Sequence, residues 1–196
     1  MSEFEKIKWD ERYSSSDYRP RDVPSPFLES SAPLIPVGRA LVLAAGTGRN
    51  ALWLAEHGFY VDAVDISAVA VAKGKEAAEA RGLSVRWIAA DLDEFEINPG
   101  TYGLVTMVRY VNRALWRNVV SALTPDGWLL MEQHLRTYLD VDGPPGDEFR
   151  VAPGELLTSF ADLRIVRYVE GLAASREPGR HVALAMLLAC RGNPGW

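Results

Sequence analysis

Apolar residues gather in short, dense runs from Arg39 onward, and several of these runs are followed by residues at helical spacing. Arg39–Leu43, Tyr60–Val64, Ser84–Ala89, Gly103–Val108 and Trp128–His134 each match the length and density of a strand. Ala40-Leu41-Val42-Leu43 is apolar throughout, which fits a strand covered on both faces. Between them, Asn50–His57, Ser67–Ala80 and Asn112–Leu123 carry the helical spacing. Ser67 is a good N-cap, Gly58 and Gly82 are good helix stops, and Pro125-Asp126-Gly127 closes the third helix. Strand alternating with helix predicts a parallel sheet with helices on both faces.

The alternation breaks after His134. Asp140–Pro153 holds Gly143, Pro144, Pro145 and Gly146 and reads as a loop, followed by a short helix over Pro153–Phe160. Leu163–Glu170 and His181–Cys190 read as two strands joined by a polar turn through Pro178-Gly179, which predicts an antiparallel pair closing the sheet. The first 36 residues differ again. They are polar, aromatic and proline-rich, with a short helix expected over Phe4–Tyr13 and another over Pro24–Ser31. The expectation is one domain over residues 1–196, with 1–36 as a cap or lid and 37–196 as the core.

Composition narrows the function classes. Hydrophobic residues make up 48% and charged residues 24%, as in ordinary globular proteins. A net charge of −5 counts against nucleic acid or an anionic membrane as the main partner, because both are bound through excess Lys and Arg. A single cysteine, Cys190, sits in an apolar run, so no intrachain disulfide forms, and no metal-ligand spacing is visible. The charged start carries no leader pattern and no run approaches ~18 apolar residues. A cytoplasmic chain is therefore expected. Oligomeric state is not legible in these patterns.

The chemistry concentrates after the first strand. Ala45-Gly46-Thr47-Gly48-Arg49-Asn50 turns the chain tightly into a helix, and Asp65 ends the next apolar run. Glycines admit close backbone approach to a ligand, a helix start favours negative groups, and a carboxylate at the second strand's end suits ribose hydroxyls. That combination predicts an adenosine-containing cofactor.

The order and spacing of several segments resemble class I S-adenosylmethionine-dependent methyltransferases, in particular small enzymes of the tellurite-resistance and thiopurine type. The segments are Trp9-Asp10-Glu11-Arg12-Tyr13, Gly46 to Ala55, Gly58 to Ser67, Ala89-Ala90-Asp91-Leu92 and Pro125-Asp126-Gly127-Trp128-Leu129. The resemblance covers about Trp9 to Arg191. It implies a Rossmann-like, doubly wound, mostly parallel seven-stranded sheet with a C-terminal antiparallel strand pair. It also implies S-adenosyl-L-methionine held by Arg12, Ala45, Gly46, Gly48, Asn50, Asp65, Ile66, Asp91, Leu92 and Val108. There are departures: Val42 and Ala44 stand where the family usually has a carboxylate and a first glycine, and Gly103 stands where an Asp often opens strand four.

Arg109 and Tyr110, at the end of strand four, and His134, at the end of strand five, are the candidates for orienting or activating the acceptor. Arg113 and Arg136 lie nearby in sequence. Arg12 and Tyr13 are candidates to fold over the cofactor, with a guanidinium for its carboxylate and an aromatic face for its sulfonium. The acceptor is expected to be a small molecule, and the resemblance points to oxyanions or soft nucleophiles. Two other readings stay open. Gly46-x-Gly48-x-x-Ala51 with Asp65 also fits a nicotinamide-dependent oxidoreductase, and Val42 and Ala44 leave room for a cofactor-binding module without catalysis.

Overall fold

The computed structural model describes residues 3–195. Seven strands form one sheet in the order β3-β2-β1-β4-β5-β7-β6. They are β1 (Arg39–Leu43), β2 (Tyr60–Asp65), β3 (Val85–Ala89), β4 (Tyr102–Val108), β5 (Leu123–His134), β6 (Arg164–Ala174) and β7 (His181–Cys190). The first five are parallel. β7 inserts antiparallel between β5 and β6, as the closing strand pair predicts.

Two apolar layers flank the sheet. One packs Leu41, Leu43, Val105 and Met131 against Trp116 and Val119 of α5 (Trp116–Ala122) and Leu156 of α6 (Glu155–Ser159). The other packs Ala40, Val42, Val61 and Leu130 against Phe27 and Leu28 of α2 (Pro26–Ser31) and Ala51 and Leu54 of α3 (Arg49–Glu56). Alternate residues of β1 therefore face opposite layers, which explains its unbroken apolar run. Val42 points into the second layer at 3% exposure, so the residue departing from the family pattern is a core side chain here.

Helix α4 (Ala68–Ala80) lies beside β2 and β3 with Ser67 as its N-cap, the side chain accepting from Ala70 N–H at 3.1 Å. Trp87 of β3 is wedged between α4 and the glycine loop. A Cβ at Gly74 would come within 2.4 Å of the Trp87 ring, and one at Gly48 within 2.2 Å. Helix α1 (Glu3–Ser14) packs along α4. Its Asp10 accepts from Ser67 Oγ at 2.5 Å and Val69 N–H at 3.3 Å, so a residue near the start of the chain completes the α4 cap.

Several expected boundaries move: β6 runs to Ala174, past the expected Glu170, the short helices of Pro24–Ser31 and Pro153–Phe160 contract to α2 and α6, and two segments change character. Asn112–Leu123 is a 3-10 turn, Arg113–Leu115, leading into α5, with Asn112 Oδ1 accepting from Ala114 N–H. Pro125-Asp126-Gly127 does not precede strand five but lies inside β5, where the register against β4 shifts between Tyr102 and Leu104. Asp126 takes a positive φ of 62° and its N–H reaches Arg191 O at 2.9 Å, so the triplet forms a bulge held by the segment after β7.

Candidate active site

The carboxyl ends of β1, β2, β4 and β5 meet the N-terminal segment around two adjoining cavities, where an open parallel sheet is expected to bind its ligand. The smaller, about 250 Å³, is lined by the glycine loop, Asp65, Ile66, Leu92 and Val108, with Tyr13 and Tyr18 from the N-terminal segment. The larger, about 1730 Å³, opens between that segment and the β6–β7 hairpin. Trp9, Arg12, Arg21, Arg49, Arg109, Tyr110 and Arg176 line both, so they mark the junction.

The loop after β1 is built by backbone bonds and unusual dihedrals. Ala45 N–H donates to Val64 O and Gly48 N–H to Ala45 O, each at 3.0 Å. Gly46 and Gly48 have φ of 56° and 92°. Gly48 thus needs its missing side chain twice, for its dihedral and for Trp87. Ala44 also takes a positive φ, 51°, so the alanine at the family's first glycine position sits in the left-handed region at a cost of about 1 kcal/mol.

Asp65 is buried at 6% exposure and accepts from Gly46 N–H at 2.7 Å and Ser67 N–H at 3.0 Å. Burial raises its pKa above the ordinary carboxylate value, and these N–H groups oppose the rise. A carboxylate offers about four acceptor positions, so capacity remains for ligand hydroxyls. Tyr13 hangs over the loop, its hydroxyl 2.9 Å from where a Gly46 Cβ would be. Lys73 Nζ donates to Tyr13 O at 2.5 Å, and Tyr18 Oη meets Thr47 Oγ1 at 3.0 Å. Glycine backbone, a buried acceptor and the apolar Ile66, Leu92 and Val108 fit a nucleoside, and the cavity volume lies near the usual ~300 Å³ floor for ligand sites.

Not every expected cofactor contact reaches the cavity. Ala45, Gly46, Gly48, Asp65, Ile66, Leu92, Val108 and Arg12 line it. Asn50 and Asp91 are not among the lining residues. Asn50 Oδ1 accepts from Ser25 N–H at 2.9 Å and pins the chain ahead of α2. Asp91 Oδ1 accepts from Asp93 N–H at 2.9 Å within a turn.

The acceptor candidates also separate. Arg109 has a positive φ of 59°, its N–H donates to Glu132 O at 2.6 Å, and its Nε donates to Glu132 Oε1 at 2.9 Å. Both ends of the residue are therefore held, and such strain concentrates at functional sites. Tyr110 lines the junction, its hydroxyl accepting from Asn112 Nδ2 at 3.2 Å. His134 lines only the larger cleft. It is 8% exposed, its Nδ1 has no hydrogen-bond partner among the described residues, and burial followed by Arg109, Arg150 and Arg21 pushes its pKa down to about 4. It is neutral at pH 7 and a weak base. Arg113 pairs with Glu155 and reaches Arg150 O at 2.9 Å, bracing α6, although it also borders the larger cleft. Arg136 lies outside both cavities, against Asp147 O.

The site contains charges that sequence reading did not single out. Glu132 is 2% exposed, and besides Arg109 it accepts from Ser25 Oγ. Arg21, Arg49 and Arg176 join Arg109 around it. Burial and the other three arginines lower the Arg21 pKa to about 10, and Glu132 opposes the shift. Burial likewise lowers Arg49, with Glu132 opposing and Arg109 and Arg176 adding to it. The one visible signal was a glutamate inside the apolar strand Trp128-Leu129-Leu130-Met131-Glu132, since an unpaired charge is not left in a core.

Comparisons with known proteins agree with this architecture. Residues 40–127 match a methyltransferase domain family. The chain is 30% identical over 108 residues to ribosomal RNA small subunit methyltransferase C of Alcanivorax borkumensis, a match covering 50% of this chain and 33% of that protein. The chain thus matches about a third of that relative's length. Its fold is similar to that of TehB from Haemophilus influenzae, with a TM-score of 0.76 and 20% identity over 93% of this chain and 67% of that one. It is also similar to the structure reported for conversion of a disulfide bond into a thioacetal group during echinomycin biosynthesis. There the TM-score is 0.71 and the identity 21%, covering 96% of this chain and 93% of the other. Among the described residues, no helix is long and apolar enough to cross a membrane. The ribosomal RNA relative removes the basis for excluding nucleic acid on net charge alone.

Proposed function

We propose that this chain, which carries a class I S-adenosylmethionine-dependent methyltransferase domain, transfers a methyl group to a small-molecule acceptor seated in the larger cleft. The observation that carries the acceptor reading is the junction. The cavity holding Asp65 and the glycine loop opens, through Arg109 and Tyr110, into a second cleft covered by the N-terminal segment and the β6–β7 hairpin.

S-adenosylmethionine supplies an activated methyl on sulfur; the residues bind, align and exclude water. Asp65 accepts the ribose hydroxyls, the Ala45–Gly48 backbone borders the methionine part, and Ile66 and Leu92 flank the adenine. Arg12 and Tyr13 close over the cofactor. Arg109 and Tyr110 orient the acceptor at the junction. Neutral His134 offers a hydrogen-bond partner in the cleft wall.

The test is calorimetric titration of the 196-residue chain with S-adenosylmethionine, S-adenosylhomocysteine and NAD, followed by transfer of labelled methyl to a small-molecule panel and to ribosomal RNA. The expected result is micromolar binding of the first two, none of NAD, and label in small molecules. Asp65→Ala is expected to weaken S-adenosylhomocysteine by about 2 kcal/mol, roughly 30-fold. NAD binding alone would restore the oxidoreductase reading, and label confined to RNA would replace the acceptor class.

A further inference from the structure

Five arginines line both cavities, and four of them, Arg21, Arg49, Arg109 and Arg176, group around one buried carboxylate, Glu132. Glu132 is already engaged by Arg109 and Ser25. Arg21 and Arg49 are half-buried, and among the described residues their guanidinium groups have no hydrogen-bond or ion-pair partner, while the exposed Arg176 donates to Arg19 O at 3.2 Å. Among the described residues, three of the four cations therefore lack a carboxylate partner. Crowded, partly desolvated like charges are costly unless an anion joins them.

The cleft beyond the arginines is of another character. Phe27, Pro24, Val182, Leu184 and Met186 contribute apolar wall, and its volume of about 1730 Å³ far exceeds what an inorganic ion needs. The combination fits a molecule with an apolar body and one anionic head.

We propose that the acceptor is an organic carboxylate whose head is held by Arg21, Arg49, Arg109 and Arg176 at the junction, and that a carboxylate oxygen is itself the nucleophile. The inference rests on the methyl-transfer reading above. The oxygen attacks the methyl carbon, the C–O bond forms as the C–S bond breaks, and the electron pair of the broken bond remains on sulfur. The products are a neutral methyl ester and S-adenosylhomocysteine. No proton moves, so the step needs no base, in keeping with an imidazole held neutral at pH 7 and a glutamate already occupied. Loss of the acceptor's charge also frees it from the arginines, which favours product release.

The test titrates the 196-residue chain, with and without S-adenosylhomocysteine, with indole-3-acetate, 4-phenylbutanoate and benzoate and with the matching primary amides. Carboxylates are expected to bind at least about tenfold more tightly than amides. An Arg21→Gln/Arg176→Gln double variant is expected to abolish that preference while changing S-adenosylhomocysteine affinity less than about threefold. In turnover with labelled methyl donor, the product is expected to release labelled methanol on alkaline hydrolysis. Equal binding of carboxylates and amides, or binding of neither, overturns the anion site. Equal loss of carboxylate and S-adenosylhomocysteine affinity in the double variant assigns the arginines to the cofactor's own carboxylate and also overturns it. Binding followed by an alkali-stable product overturns the carboxylate as nucleophile. Failure of S-adenosylhomocysteine to bind the unmodified chain removes the methyl-transfer reading and the ester step with it, whereas a carboxylate preference in its absence keeps the anion site.

Discussion

Two buried carboxylates on the sheet, Asp62 and Glu132, are surrounded by opposite charge in different ways. Asp62 on β2 accepts from Arg39 Nη2 at 2.9 Å and from the Tyr102 hydroxyl at 2.9 Å, with Arg86 at 3.7 Å. Arg39 and Arg86 are 46% and 66% exposed, so water satisfies whatever charge Asp62 does not. Glu132 stands three residues further toward the carboxyl ends of the strands with four arginines, two of them half-buried and, among the described residues, without side-chain partners. The first cluster is complete in the folded chain. The second has surplus charge partly sheltered from water, and under the proposal above that surplus is met by the acceptor's anionic head.

Breaking each cluster should show the contrast. The largest effect is expected from Glu132→Gln, which leaves Arg109 and its neighbours without their carboxylate. A loss of about 3 kcal/mol in urea denaturation is expected, partly recovered by sulfate because an added anion can replace the missing charge. Asp62→Asn is expected to cost about 2 kcal/mol, with no recovery by sulfate and no change in S-adenosylhomocysteine affinity by calorimetry.

The arginines also set a pH signature. The His134 pKa of about 4 lies below the unfolded value of 6.5, so between those pH values the unfolded chain binds the extra proton. Stability contributed by neutral His134 is therefore intact above pH 6.5 and lost as pH falls toward 4, on the order of 3 kcal/mol in full. The difference between the pH–stability curves of the unmodified chain and His134→Gln isolates it. Asp65 is expected to act through binding instead. Its raised pKa means that acidification protonates it above the ordinary carboxylate range, and S-adenosylhomocysteine affinity is expected to weaken there. The smallest effect is expected from Ala44→Gly, which relieves the positive φ and stabilises by up to about 1 kcal/mol in thermal melts.

The strands were legible because each is an apolar run bounded by polar turns; Arg39–Leu43 and His181–Cys190 have the expected bounds. The start of β5 was not, because Pro125-Asp126-Gly127 has the composition of a turn and becomes a bulge only through Arg191, more than 60 residues later. The site divides the same way. Gly46, Gly48 and Asp65 belong to one local pattern and arrive together at one cavity. Asn50 belongs to that pattern too, but Ser25, 25 residues earlier, takes its side chain. Arg21, Arg49, Arg109 and Arg176 come from separate segments with no shared spacing, and only tertiary structure gathers them.

Trp87 constrains the order in which substitutions can accumulate. Gly74 lies mid-helix at ordinary dihedrals, where alanine is favoured by about 1 kcal/mol, yet the indole fills the space its methyl would need. In a lineage, Gly74→Ala is accessible only after Trp87 has become smaller. The reverse order passes through an overpacked intermediate, costing typically 1–3 kcal/mol. The two positions are epistatic, and an alignment of descendants should show alanine at 74 only where 87 is no longer tryptophan.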